Sequence, residues 1–84
     1  MEIFNKVTAI LSELSGIETI CLEQELQGDL GLDSLQMITL LILLEENFHI
    51  VLDESDMNPF DLINVWHVLI LVEKYVVGNI NESI

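Results

Sequence analysis

Residues 29–35 read Asp29-Leu30-Gly31-Leu32-Asp33-Ser34-Leu35, and the next thirteen run Gln36-Met37-Ile38-Thr39-Leu40-Leu41-Ile42-Leu43-Leu44-Glu45-Glu46-Asn47-Phe48. A turn meets a helix in this stretch. Gly28 and Gly31 mark a tight turn, and neither Gly nor Pro occurs between Asp33 and Phe48. Either Asp33 or Ser34 can cap the helix. Asp33 followed three positions later by Gln36 reads as a capping box, in which each side chain satisfies a backbone N–H of the first turn. The predicted helix starts at Asp33-Ser34 and ends near Phe48 or His49. Leu35, Ile38, Leu40, Leu44 and Phe48 are candidates for its core face. Met37, Leu41, Ile42 and Leu43 remain, and one face cannot hide all of them.

On the N-terminal side, Ile3, Val7, Ile10 and Leu14 recur at three- and four-residue steps, with Phe4 and Leu11 beside them. This is one face of an amphipathic helix from about Glu2 to Leu14, ended by Ser15-Gly16. Residues 16–33 have no sustained period. Ile17, Ile20, Leu22, Leu26, Leu30 and Leu32 punctuate them and predict a long loop pinned across the core, a type of loop that is usually functional. On the C-terminal side, Asn58-Pro59 reads as the cap and first residue of a short helix reaching about Ile63. Asn64 caps a last helix with an apolar stripe of Val65, Val68, Leu69, Val72 and Val76. Gly78 is expected to end it, and residues 79–84 to fray. The prediction is all-α: a small four-helix bundle of three longer helices and one short one, with a long first loop, in a single domain over residues 1–78.

Composition narrows the function. The chain has 84 residues, 51% of them hydrophobic, which suffices for one core. Fifteen acidic residues face two basic ones, Lys6 and Lys74, for a formal net charge of −13. Such a charge repels nucleic acid and anionic membranes and favours basic proteins or divalent cations. The lone Cys21 cannot form an internal disulfide, and no signal peptide is evident, so a reducing cytosol is the simplest expectation. The apolar run Leu40 to Leu44 is far short of the roughly 20 residues of a membrane span.

Catalytic constellations are weak. Counted from Asp29 or Asp53, no calcium loop has its Gly and Glu in place. Cys21, His49 and His67 lack zinc spacing, so no metal site is expected beyond loose cation binding by clusters such as Asp53, Glu54 and Asp56. Ser34 has neither a G-x-S-x-G elbow nor a nearby His in sequence. His67 reads as a surface or half-buried residue and Trp66 as a packing one. Yet Ser34 is a serine at a helix start after a long ordered loop, where a macromolecule can reach its hydroxyl. Helix N-terminal N–H groups also tolerate a phosphate well.

The run DLGLDSL, residues 29–35, resembles the phosphopantetheine attachment motif of acyl carrier proteins and their peptidyl carrier relatives. The likeness extends over roughly residues 3 to 77. It takes in the first helix, the long loop with Leu26, the Glu45-Glu46-Asn47-Phe48 ending, the short third helix and the Asn64-Val65 start. The resemblance implies an acyl-carrier-like fold and covalent 4′-phosphopantetheine on Ser34, transferred from coenzyme A by a separate phosphopantetheinyl transferase. The arm's thiol would carry an acyl or aminoacyl group as a thioester. The chain would then be a substrate of loading and condensing enzymes and not itself an enzyme, and it is expected to be a monomer. Asp33 would serve as cap or transferase recognition residue, Gly31 as turn and Leu35 as anchor.

This sequence departs from the fatty-acid carriers on the second helix. Its early half reads Gln36, Met37, Thr39, Ile42, with no carboxylate before Glu45. Met37, Leu41 and Ile42 either line the core or form an apolar partner surface with Gln36 and Glu45. Three functions follow: a stand-alone acyl carrier in fatty acid or polyketide-type synthesis, an aminoacyl or peptidyl carrier of a specialised pathway, or a helical interaction module with no prosthetic group.

Overall fold

The computed structural model describes residues 2–82, and for residues 78–82 the backbone alone. Three helices form: α1 (Glu2–Ser15), α2 (Ser34–Phe48) and α3 (Val65–Glu82). Among the described residues there is no β-strand, only an isolated bridge between Glu25 and Asn64. The short third helix expected from Pro59 to Ile63 is smaller than that. Asn58 does cap it, accepting from Phe60 N–H at 3.0 Å, but a single 3-10 turn, Pro59–Asp61, follows. A second such turn, Glu54–Asp56, precedes it, capped by Asp53. The expected all-α bundle holds among the described residues: three longer helices, with the short helix reduced to the 3-10 turn Pro59–Asp61 and a second such turn before it. Gly78 does not stop α3, whose backbone stays helical to Glu82. The expected fraying of residues 79–84 falls mainly on positions outside the described side chains, and Ser83 and Ile84 lie outside the described residues altogether.

The core is continuous and wholly apolar. Val7 and Leu11 of α1, Met37, Leu40, Leu41 and Leu44 of α2, and Val65, Val68 and Val72 of α3 are almost completely buried. Each such side chain contributes roughly 1.5–3 kcal/mol. The loop over residues 16–33 supplies Ile20, Leu26, Leu30 and Leu32 to the same core, as its spaced apolar residues predict. Backbone bonds lace it to the start of α3: Leu26 N–H to Ile63 O at 2.9 Å, Val65 N–H to Gln24 O at 3.0 Å and Trp66 N–H to Leu22 O at 3.1 Å. A loop held at both its apolar residues and its backbone is a rigid support, and the first residues of α2 rest on it.

Both basic residues have intramolecular work. Lys6 lies over the Phe48 ring, 5.5 Å from its centroid, joining α1 to the end of α2. Lys74 pairs with Asp56 at 2.9 Å. Tyr75 OH donates to the same carboxylate at 2.6 Å and accepts from Asp53 N–H at 2.8 Å, so the first 3-10 turn is strapped to α3. The Tyr75 and Lys74 hydrogen bonds hold the Asp56 carboxyl below the usual carboxylate range. Hydrogen bonds from the Ser55 hydroxyl and N–H do the same for Asp53. Asp53 and Asp56 thus spend carboxylate oxygens on hydrogen bonds to Ser55, Tyr75 and Lys74. Among the described residues no three potential metal ligands converge.

Candidate functional site

Asp33 caps α2 from an extended backbone. Its carboxylate accepts from Gln36 N–H at 2.8 Å, while Gln36 Oε1 accepts from Asp33 N–H at 3.1 Å. The capping box expected from the sequence is complete. Gln36 Nε2 also donates to Leu14 O at 3.0 Å, which fixes the start of α2 against the end of α1. Just upstream, Gly31 has φ +71°, a left-handed conformation that a side chain resists. Its neighbours Leu30 and Leu32 are buried and anchor the turn. Asp29 accepts from Glu25 N–H at 2.8 Å and closes the preceding bend.

Ser34 is the first residue of α2, and it is exposed. Among the described residues no group hydrogen-bonds its hydroxyl. The other described serines differ. The Ser15 hydroxyl accepts from Ile17 N–H, the Ser55 hydroxyl donates to Asp53, and Ser12 is half-buried inside α1. The capping box satisfies the N–H of Gln36, and Met37 N–H bonds Asp33 O. This leaves the N–H groups of Ser34 and Leu35 without an acceptor in the described protein. Two free donors at the positive end of a helix suit a phosphodiester on the adjacent hydroxyl. The residues present therefore fit a phosphate-linked group at Ser34: a free nucleophilic oxygen, space around it, and donors for the anion.

The residues proposed to touch partners separate on inspection. Met37 is 1% exposed and Leu41 2%, so both belong to the core and neither can meet a partner. Gln36 is half-buried and tied to Asp33 and Leu14. Glu45 accepts from Leu52 N–H at 2.9 Å and fastens the chain after α2. Only Ile42 keeps a free exposed surface. Leu35, expected as a core anchor, is instead 71% exposed, and Ile38 is about half exposed. Leu35, Ile38 and Ile42 fall at i, i+3 and i+7 and form the apolar strip that runs from Ser34 along α2. The 3-10 turn Pro59–Asp61 packs against α2 and exposes Phe60 beside this helix. The signal that locates the strip is polar. Thr39 and Glu46 lie on the same helical line as Leu35 and Ile42, and this line is the solvent side.

His67 Nδ1 accepts from the N–H groups of Ile63 and Asn64, at 3.2 and 3.3 Å, so it stabilises the entry to α3. Cys21 is exposed and unpaired. Trp66, expected to pack, is 51% exposed on α3. Among the described residues no helix is long and apolar enough to cross a membrane.

Comparison with known proteins gives the family. The phosphopantetheine attachment site family matches residues 5–65. The chain is 34% identical over 75 residues to an acyl carrier protein of Thermotoga maritima, covering 87% of this chain and 90% of that one. It is 40% identical over 57 residues to an acyl carrier protein of Cyanidium caldarium, covering 66% of each. An acyl carrier protein of Saccharopolyspora erythraea is 34% identical over 70 residues, with 81% of this chain and 72% of the relative covered. No solved structure matches. The chain belongs to the phosphopantetheine attachment site family: it is a carrier and not a catalyst, and its prosthetic group is covalently attached 4′-phosphopantetheine.

Proposed function

We propose that this protein is a stand-alone acyl carrier of the cytosol, bearing its phosphopantetheine on Ser34 and serving fatty acid or polyketide-type synthesis. The observation that carries the site is the Ser34 hydroxyl, exposed and unbonded at the start of α2, on a turn made rigid by Gly31, Leu30 and Leu32. When bound, the group supplies a thiol on a flexible arm that holds an acyl chain as a thioester. The protein's own residues do the rest. Asp33 and Gln36 hold the first turn of α2 in place, so that a transferase meets a fixed serine. The Ser34 and Leu35 N–H groups would receive the phosphate. Leu35, Ile38 and Ile42 offer partner enzymes an apolar contact within a strongly acidic body, so docking combines hydrophobic burial with long-range attraction to basic surfaces.

The named relatives are acyl carriers, which supports acyl cargo over aminoacyl cargo. The apolar first half of α2 favours the second reading, an aminoacyl or peptidyl carrier with a dedicated partner. Loading separates them. The phosphopantetheinylated protein is offered in turn to a malonyl transferase and to amino-acid-activating adenylation enzymes, and the product is weighed. Malonyl transfer with no aminoacylation is the expected result. Aminoacylation without malonyl transfer would replace this reading with the second.

A further inference from the structure

A groove of about 450 Å³ lies between α1 and α3, lined by Ile3 and Phe4 of α1, Leu22 of the long loop, and Trp66, Ile70 and Glu73 of α3. No residue of α2 lines it, so it is separate from Ser34 and the strip of Leu35, Ile38 and Ile42. Trp66 and Ile70 are one helical turn apart and both about half exposed. Tryptophan on a concave apolar surface is the residue type that most often dominates association energy. The fold does not require this exposure, because the core is already closed by Val65, Val68 and Val72 on another face of α3.

Charge selects the occupant. Glu73 stands in the groove wall, and the exposed Glu23 follows Leu22 in sequence. The one salt bridge among the described residues is Lys74–Asp56, so the Glu73 carboxylate has no cationic partner within the described chain. A second copy would bring another charge of −13, and an anionic lipid surface is repelled in the same way. An open channel between two helices accepts the apolar edge of a third. We propose that the α1–α3 groove is a second docking site, and that its occupant is a cationic amphipathic helix of a partner protein. Such a helix seats a bulky apolar residue on Trp66 and Ile70 and places Lys or Arg opposite Glu73. The carrier could then be held by one protein at this face while α2 stays free to present Ser34.

Trp66 is the only tryptophan of the chain, so its emission reports the groove directly. The probe is a synthetic Leu/Lys peptide of about 14 residues, roughly four helical turns, with its leucines on one face. A peptide of identical composition with the leucines dispersed is the control. The faced peptide is expected to shift Trp66 emission to the blue and shield it from a soluble quencher, and the control to do neither. Ile70→Gln should weaken binding about tenfold, equivalent to about 1.4 kcal/mol. Glu73→Lys, an exposed change, should weaken it and flatten its salt dependence. Ile42→Gln and Ser34→Ala should bind like the parent, which keeps this test independent of the attachment site. The proposal is overturned by equal binding of the control peptide, by no effect of Ile70→Gln and Glu73→Lys, or by silence of Trp66. It is equally overturned if Trp66 is shielded without peptide, by self-association of the free protein or by the acyl chain of the loaded protein.

Discussion

Replacing Met37 by Ala tests the assignment of α2's two faces. Met37 stands three residues after Ser34, yet it is 1% exposed and packs in the same cluster as Leu11, Leu40 and Leu44. Truncating a buried Met leaves a cavity and removes transfer energy, together about 2–5 kcal/mol. A domain of this size has about 4–13 kcal/mol in total at the usual per-residue range. At about 4–8 °C per kcal/mol, the melting temperature should fall by at least about 8 °C. Met37→Glu is harsher, because it also strips water from a carboxylate with no partner, and it should leave little folded protein at pH 7. Ile38→Ala and Ile42→Ala, at half-exposed positions, should shift the transition far less. The assay is thermal and urea unfolding followed by circular dichroism, with urea slopes compared to confirm that the same surface is exposed. If Met37→Ala melts within a few degrees of the parent while Ile38→Ala collapses, the faces are reversed and the partner strip is misassigned.

Three further outcomes follow from individual features. Gly31→Ala should lose about 1–2 kcal/mol in urea unfolding, since φ +71° is strained for a side chain although nothing crowds the added Cβ. A stability equal to the parent would refute the strain. Asp56→Asn keeps an acceptor for Tyr75 but removes the charge that pairs with the exposed Lys74, so it should lower stability slightly. The folded Asp56 carboxyl lies below its ordinary value of 3.8, so this difference should be full at pH 7 and vanish as pH falls through that lowered value. A difference that grows in acid would refute it. Sodium chloride should raise the melting temperature, because screening relieves the self-repulsion of a −13 body, and a flat or falling curve would contradict this.

Much of the frame is legible in the sequence because it rests on local chemistry. Asp33 and Gln36 can form their reciprocal bonds wherever a helix begins, and His49 in the left-handed conformation ends α2 where the apolar pattern stops. The buried loop residues Ile20, Leu26, Leu30 and Leu32 stand out against polar neighbours. The phase of α2 is harder, because apolar residues occupy nearly its whole circumference and periodicity cannot rank Leu35 against Met37. Burial is decided by α1 and by the loop, which packs from the side of Met37, Leu40, Leu41 and Leu44. The length of α3 is hidden for another reason. A single Gly in a helix costs about 1 kcal/mol, and Gly78 is carried through by the helix on either side of it. Gln36 and Glu45 are polar residues whose bonding capacity goes to backbone groups distant in sequence, and spacing along one helix cannot show this.

The central claim is that Ser34 carries the prosthetic group. Its most direct test is intact mass of the parent and Ser34→Ala proteins after incubation with a broad-specificity phosphopantetheinyl transferase, magnesium and coenzyme A, followed by fragmentation of the modified peptide. The account predicts one phosphopantetheine on the parent, mapped to Ser34, and none on Ser34→Ala, which should stay folded because Asp33 supplies the cap and the Ser34 hydroxyl bonds nothing in the described protein. Modification of the folded Ser34→Ala protein, or an unmodified parent under conditions that load a known carrier, would contradict it.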